Sequence, residues 1–218
     1  MCLLEQALPF DDVAADPNQA GAGGGRPLSG TAPLTIQLPL GSTTSASVFL
    51  VRAQTSDLRL LRLKRWHRPA PPGFLVRFDQ LVAQFADWNH ADIAVPFAAG
   101  IDAAGRAWVL SEFRQGLPIL ESVKTGRLHR DRAAAVLVRL LGITRTAHAK
   151  SLTHGSIVPG NVIVHPQSET AYLLDFGLAP LLADSMDRAG FVSSDLAGFA
   201  ALERALPAPP RGLSRLEL

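Results

Sequence analysis

Residues 154–177 read HGSIVPGNVIVHPQSETAYLLDFG. Two short apolar runs inside this stretch, 162–165 (VIVH) and 171–174 (AYLL), have strand character, and Pro166-Gln167-Ser168-Glu169-Thr170 between them is turn chemistry. An antiparallel hairpin brings the residue before its first strand and the residue after its second strand to the same end. Those residues are Asn161 and Asp175. A carboxamide oxygen beside a carboxylate offers hard oxygen ligands of the kind Mg²⁺ prefers. Phe176 then supplies an aromatic to pack, and Gly177 a backbone free to take unusual angles.

Upstream of the hairpin the pattern is strand-rich. Residues 34–40, 47–53 and 58–64 read as three strands. Phe74, Phe78, Leu81, Val82, Phe85 and Trp88 then recur on one helical face. Residues 92–98 and 106–113 give two further strands, separated by the turn Asp102-Ala103-Ala104-Gly105. Next to the hairpin the chain turns helical. Ala133, Val136, Leu137, Leu140, Leu141 and Thr144 form a stripe over 130–148, with Asp131 in the first turn where the helix dipole favours an acid. A last helix is expected over 193–206. Residues 1–33, rich in Pro, Gly and Ala, read as a mobile leader, and 207–218 as a tail.

Composition narrows the class. Of 218 residues, 47% are hydrophobic and 18% charged, which suffices for a folded core. The net charge is +2, with no dense basic block, which argues against a nucleic-acid partner. Cys2 is the sole cysteine, so no internal disulfide is expected. No apolar run is long enough to span a membrane, and the opening Met1-Cys2-Leu3-Leu4-Glu5 lacks the basic start of a signal peptide. The expected setting is therefore cytoplasmic, with no membrane partner.

The pair HGSIVPGNVIV…LLDFGLA resembles the catalytic loop and Asp-Phe-Gly segment of protein kinases and related small-molecule phosphotransferases. The remainder agrees in order over about residues 34–206. Leu40-Gly41…Val48-Phe49 resembles the Gly-rich loop and the strand after it. Arg62 and Lys64, on one face of the third strand, are both candidates for the phosphate-contacting cation. HADIAV at 90–95 resembles the segment after the regulatory helix. WVLSEF at 108–113 resembles the hinge strand, with Ser111 as gatekeeper and Glu112 as the adenine-side backbone contact. Ser193-Ser194-Asp195 resembles the start of the helix that anchors the catalytic loop. The resemblance implies an α+β, two-lobed protein-kinase-like fold. Its N-lobe, 34–113, is a five-stranded antiparallel sheet with one helix. Its mainly helical C-lobe, 114–206, is truncated after the helix starting near Ser193. It also implies ATP with Mg²⁺ as cofactors, held by Gly41, Val48, Arg62, Lys64, Glu112, Asn161 and Asp175, the last two as metal ligands.

The sequence departs from that family at several separate points. Ser156 stands where the catalytic loop carries its Asp, and a serine hydroxyl is a poor base at neutral pH. Val158 replaces the following cation. Thr43 and Ala46 take two glycine positions of the Gly-rich loop. Leu81 stands where the regulatory helix carries a Glu, and no Ala-Pro-Glu follows Gly177. These departures point to a pseudokinase, a regulatory or binding module in signalling that acts through an unidentified protein partner. Two alternatives stand beside it: an active phosphotransferase with an atypical catalytic loop, and a scaffold that binds neither ATP nor Mg²⁺. His154 and His90 read as structural residues, and Arg59, Arg65 and Arg68 as surface charges.

Overall fold

The computed structural model describes residues 34–53, 60–88, 90–183 and 187–207. The expected leader, the tail beyond Pro207, Cys2, Arg59 and residues 58–59 of the third strand lie outside them. The elements are β1 (Leu34–Ser42), β2 (Ala46–Ala53), β3 (Leu60–Pro69), α1 (Phe74–Asp87), β4 (Pro96–Ile101), β5 (Arg106–Glu112), β6 (Leu117–Pro118), α2 (Ile119–Lys124), α3 (Arg130–Ala149), β7 (Val162–Val164), β8 (Ala171–Leu173), α4 (Leu178–Leu181) and α5 (Arg188–Ala205). They form two compact units. One holds β1–β5, α1 and α4; the other holds His90–Ile93, β6–β8, α2, α3 and α5.

The first unit is built on an antiparallel sheet of order β1-β2-β3-β5-β4. Alternation along β3 sends Leu61 and Leu63 to one face, where they meet Val51, Ala53 and Leu110 in a buried cluster. Arg62 and Lys64 therefore take the other face. Phe74, Phe78, Leu81 and Phe85 are the buried stripe of α1, the spacing read from sequence, while Asp79 and Gln80 are exposed. The β4–β5 turn is closed by Asp102, whose carboxylate accepts from the amides of Ala104 and Arg106 and from Arg106 Nε.

Several elements differ from expectation. The fourth strand is Pro96–Ile101, not 92–98: Asp92 and Ile93 belong to the second unit, where Ile93 bridges Leu173 and the Asp92 carbonyl accepts from Leu173 N–H. The first unit has a second helix, the four-residue α4. Gly177, at φ 78, starts it, and a side chain there would strike Leu81. Its C-terminal carbonyls are capped by arginines: Arg68 Nη2 donates to Leu182 O at 2.8 Å and Arg77 Nη1 to Ala183 O at 3.0 Å. Arg68 is exposed, as expected of a surface charge, and its guanidinium also clamps α4. Replacing both arginines with alanine is expected to raise amide exchange at Leu182 and Ala183 about tenfold while global stability changes by less than about 1 kcal/mol. Unchanged exchange at those amides would show that the arginines hold nothing.

In the second unit β6, β7 and β8 pair antiparallel, with Val162 opposite Leu173 and Val164 opposite Ala171. The expected hairpin gains β6 as a third strand because Leu117-Pro118 pairs with Val164 and Ile163. The last helix starts at Arg188, not near Ser193. Asp187 is its N-cap and accepts from Gly190 N–H at 3.0 Å, so the cap rather than Ser193-Ser194 sets the boundary. Among the described residues no helix is long and apolar enough to cross a membrane.

Candidate functional site

The second unit carries the loop 154–161 and the hairpin that follows it. Beyond the paired strands, Leu174 N–H donates to Asn161 O at 2.8 Å, so the ladder continues one step to the position before Asp175. Asn161 and Asp175 therefore leave the hairpin at the same end. A 3-10 turn over Pro159–Asn161 delivers Asn161 to the strand, and its Nδ2 donates to Ser156 O at 2.9 Å. That bond uses the donor half of the amide and fixes the side chain, leaving Oδ1 as the half a cation takes. Asn161 and Asp175 are both buried. Asp175 has φ 62, a left-handed conformation that Asp tolerates better than most residues. Among the described residues no three His, Cys, Asp or Glu side chains cluster as a metal cage. A pair of oxygen donors still fits Mg²⁺, which keeps waters and phosphate oxygens in its shell and needs few protein ligands.

The loop itself is held from below by one carboxylate. Asp195 on α5 is fully buried, and it accepts from His154 N–H at 2.9 Å and from Gly155 N–H at 2.7 Å. Two successive amides converge on one carboxylate because Gly155 takes φ 80. His148 Nε2 on α3 reaches the same carboxylate at 2.9 Å. Sequence reasoning found Asp195 but missed His148, since nothing local ties residues 47 positions apart. It also missed Asp92, whose buried carboxylate pairs with Arg139 on α3 and so ties the His90–Ile93 segment into this unit. His90 does cap that segment, accepting from Asp92 N–H through Nδ1. Gly198 lets α5 approach the loop closely: a side chain there would lie 2.6 Å from Ile157 O.

His154 is structural. Its Nε2–H donates to Leu174 O at 2.8 Å, Nδ1 accepts from Ser156 N–H at 3.2 Å, and its ring meets Phe176 edge-on at 5.2 Å. These bonds select the neutral tautomer. Burial holds the imidazole below its ordinary value of 6.5, overcoming the opposing pull of Asp195 and Asp175. The folded chain thus keeps His154 neutral while the unfolded chain protonates it near 6.5. Stability is complete above that pH and is lost as pH falls below it, by up to about 1.4 kcal/mol per pH unit. In denaturant titrations between pH 8 and pH 5, His154→Gln is expected to lose this component of the slope. A variant as acid-sensitive as wild type would contradict it.

The first unit presents the other candidates. Gly41 pairs with Val48, Val48 with Lys64, and Lys64 with Val109, so these residues form one row across the sheet. Arg62 lies one pair along on the same face, between Leu50 and Ser111. Arg62 is buried, which sets it apart from a solvated strand charge, and Lys64 Nζ sits 5.4 Å from the Trp66 ring. Ser111 is buried, and the Glu112 carboxylate pairs with Arg114. Gly41 has no positive φ and has open space where a side chain would go, so the fold does not require glycine there. Leu81 is buried on α1, against Gly177.

An α+β chain with a five-stranded antiparallel sheet and several helices is compatible with the smaller lobe of a protein kinase. Over 113 residues the chain is 32% identical to the serine/threonine-protein kinase PknA of Mycobacterium tuberculosis and equally to PknA of Mycobacterium bovis. The match covers 50% of this chain and 26% of those proteins, so the chain spans about a quarter of the curated relatives it matches. No protein-family model matches it. The relationship is kinase-like over half of the chain.

Proposed function

We propose that the chain is a protein-kinase-like module that holds a nucleotide with Mg²⁺ and lacks ordinary phosphoryl transfer. The observation that carries this reading is the loop from His154 to Asn161, which contains no carboxylate. The residue whose carbonyl Asn161 clamps is Ser156, and its hydroxyl has no means to accept a substrate proton at neutral pH. Within the second unit, Asn161 Oδ1 and the Asp175 carboxylate would hold the metal. When bound, Mg²⁺ supplies charge neutralisation on the phosphate oxygens. The protein's own part is to fix Asn161 through Ser156 O and to brace the loop on Asp195. A module that binds without transferring acts through its bound state, so we assign it a regulatory role exercised on a protein partner.

The test compares wild type with Ser156→Asp. Mg-ATP at a hundred times its Kd is expected to stabilise both by about 2.7 kcal/mol. Transfer of γ-phosphate to a generic hydroxyl acceptor is expected to stay at the uncatalysed level in wild type. Ser156→Asp should transfer faster than wild type, by at most the about 10²–10⁴-fold that a general base contributes. Turnover by wild type would establish an atypical phosphotransferase instead. No stabilisation at millimolar nucleotide would leave a scaffold.

A further inference from the structure

The turn between β1 and β2 bears on how a nucleotide would be held. Main-chain amides at the tip of a Gly-rich loop grip phosphates only when they are free to donate outward. Here the amides are engaged within the turn. Thr43 N–H donates to Ala46 O at 2.8 Å, while Ser45 N–H and Ala46 N–H both donate to Thr43 Oγ1, at 3.3 and 3.1 Å. Thr43 Oγ1 also lies 3.3 Å from Ala46 O and 3.1 Å from Ser45 Oγ. One threonine side chain thus does for this turn what a bound anion would do for an open one.

A second set of bonds ties the turn to the end of β3. His67 N–H donates to Ser45 O at 2.9 Å, His67 Nδ1 meets Thr44 O at 3.2 Å, and His67 Nε2 meets Ser47 Oγ at 2.8 Å. Ser47 Oγ in turn lies 3.2 Å from Ser42 Oγ across the base of the turn. The carbonyl contact makes Nδ1 the protonated nitrogen, so Nε2 accepts from the Ser47 hydroxyl. The turn is therefore closed on itself by Thr43 and anchored by His67, and three of its amides are committed before any ligand arrives.

We propose that Thr43 makes the β1–β2 turn indifferent to phosphate. This rests on the nucleotide-binding reading above, and it names Thr43 as the residue that sets the phosphate response of the turn. Thr43→Gly frees the amides of Ser45 and Ala46, and Thr43→Val does the same while keeping the branched shape, should the glycine loosen the turn. Gln37→Ala is the control, because its exposed side chain on β1 donates to Thr35 O, outside the turn.

The experiment is calorimetric titration of wild type and the three variants with Mg-ATP and with adenosine, each variant first checked for an unchanged melting temperature without ligand. Thr43→Val or Thr43→Gly is expected to bind Mg-ATP about tenfold more tightly than wild type, the worth of one charge-assisted hydrogen bond, with adenosine unchanged. Gln37→Ala is expected to match wild type for both ligands. Weaker or unchanged Mg-ATP binding in both Thr43 variants, or equally tightened binding in Gln37→Ala, overturns the proposal and leaves the nucleotide site standing. If neither ligand binds any of the four proteins, the nucleotide reading itself falls and takes the proposal with it.

Discussion

Asp195→Ala is expected to cost about 3–5 kcal/mol, a large share of the stability of a small domain. The reason is the number of donors that converge on this carboxylate. His154 N–H, Gly155 N–H and His148 Nε2 all end on it in a site without solvent. Removing it strands those donors in the interior, where each unpaired group carries its own desolvation cost. The loss should be local before it is global: exchange protection at His154 and Gly155 should fall first. Asp195→Asn keeps the size and one acceptor oxygen but turns an NH₂ group toward a donor, so a smaller loss is expected. Urea titration measures both. An alanine variant within about 1 kcal/mol of wild type would mean that the loop does not depend on this anchor.

The second large effect is expected at Asp175. Mg-ATP should stabilise wild type but give no shift in melting temperature with Asp175→Asn. Asparagine keeps the shape and tolerates the left-handed backbone at φ 62, so the unliganded variant should melt close to wild type. Asp175→Ala loses the ligand response as well, and it should be less stable without ligand by about 1–2 kcal/mol because alanine is strained there. The two variants separate the metal role from the backbone role. A full Mg-ATP response in Asp175→Asn would remove Asp175 from the metal site.

The parts legible in sequence were those with local signatures. The alternation of β3 put Arg62 and Lys64 on one face, and the 3.6-residue recurrence of Phe74, Phe78, Leu81 and Phe85 gave α1 nearly to the residue. The hairpin that juxtaposes Asn161 and Asp175 was readable because turn residues separate two apolar runs. Short elements escaped. The two residues of β6 and the four of α4 are too few to show a period, and tertiary partners, Val164 for one and Arg68 with Arg77 for the other, hold them in place. Ser193-Ser194-Asp195 reads as a helix start in sequence, five residues later than the observed N-terminus of α5, whose working cap is Asp187. Asp195 instead sits in mid-helix with its carboxylate turned inward to the loop.

The side chains that hold the candidate site together were the least readable, because their partners lie far along the chain. His148 meets Asp195 and Arg139 meets Asp92 across 47 residues in each case. The Thr43 turn is different. Its residues are adjacent, and a threonine followed by polar residues before a strand is a recognisable capping arrangement. Set against a Gly-rich loop it reads as a loss of glycine, whereas Thr43 Oγ1 takes up the amides of Ser45 and Ala46.

Binding without transfer can be read from one sample. Purified wild-type protein is titrated calorimetrically with ATP in Mg²⁺ buffer, and the nucleotide is recovered afterward and resolved by chromatography. Saturable heat with the nucleotide returned as ATP is the predicted result. ADP accumulating together with phosphorylated protein or acceptor would contradict it, and so would the absence of any saturable binding.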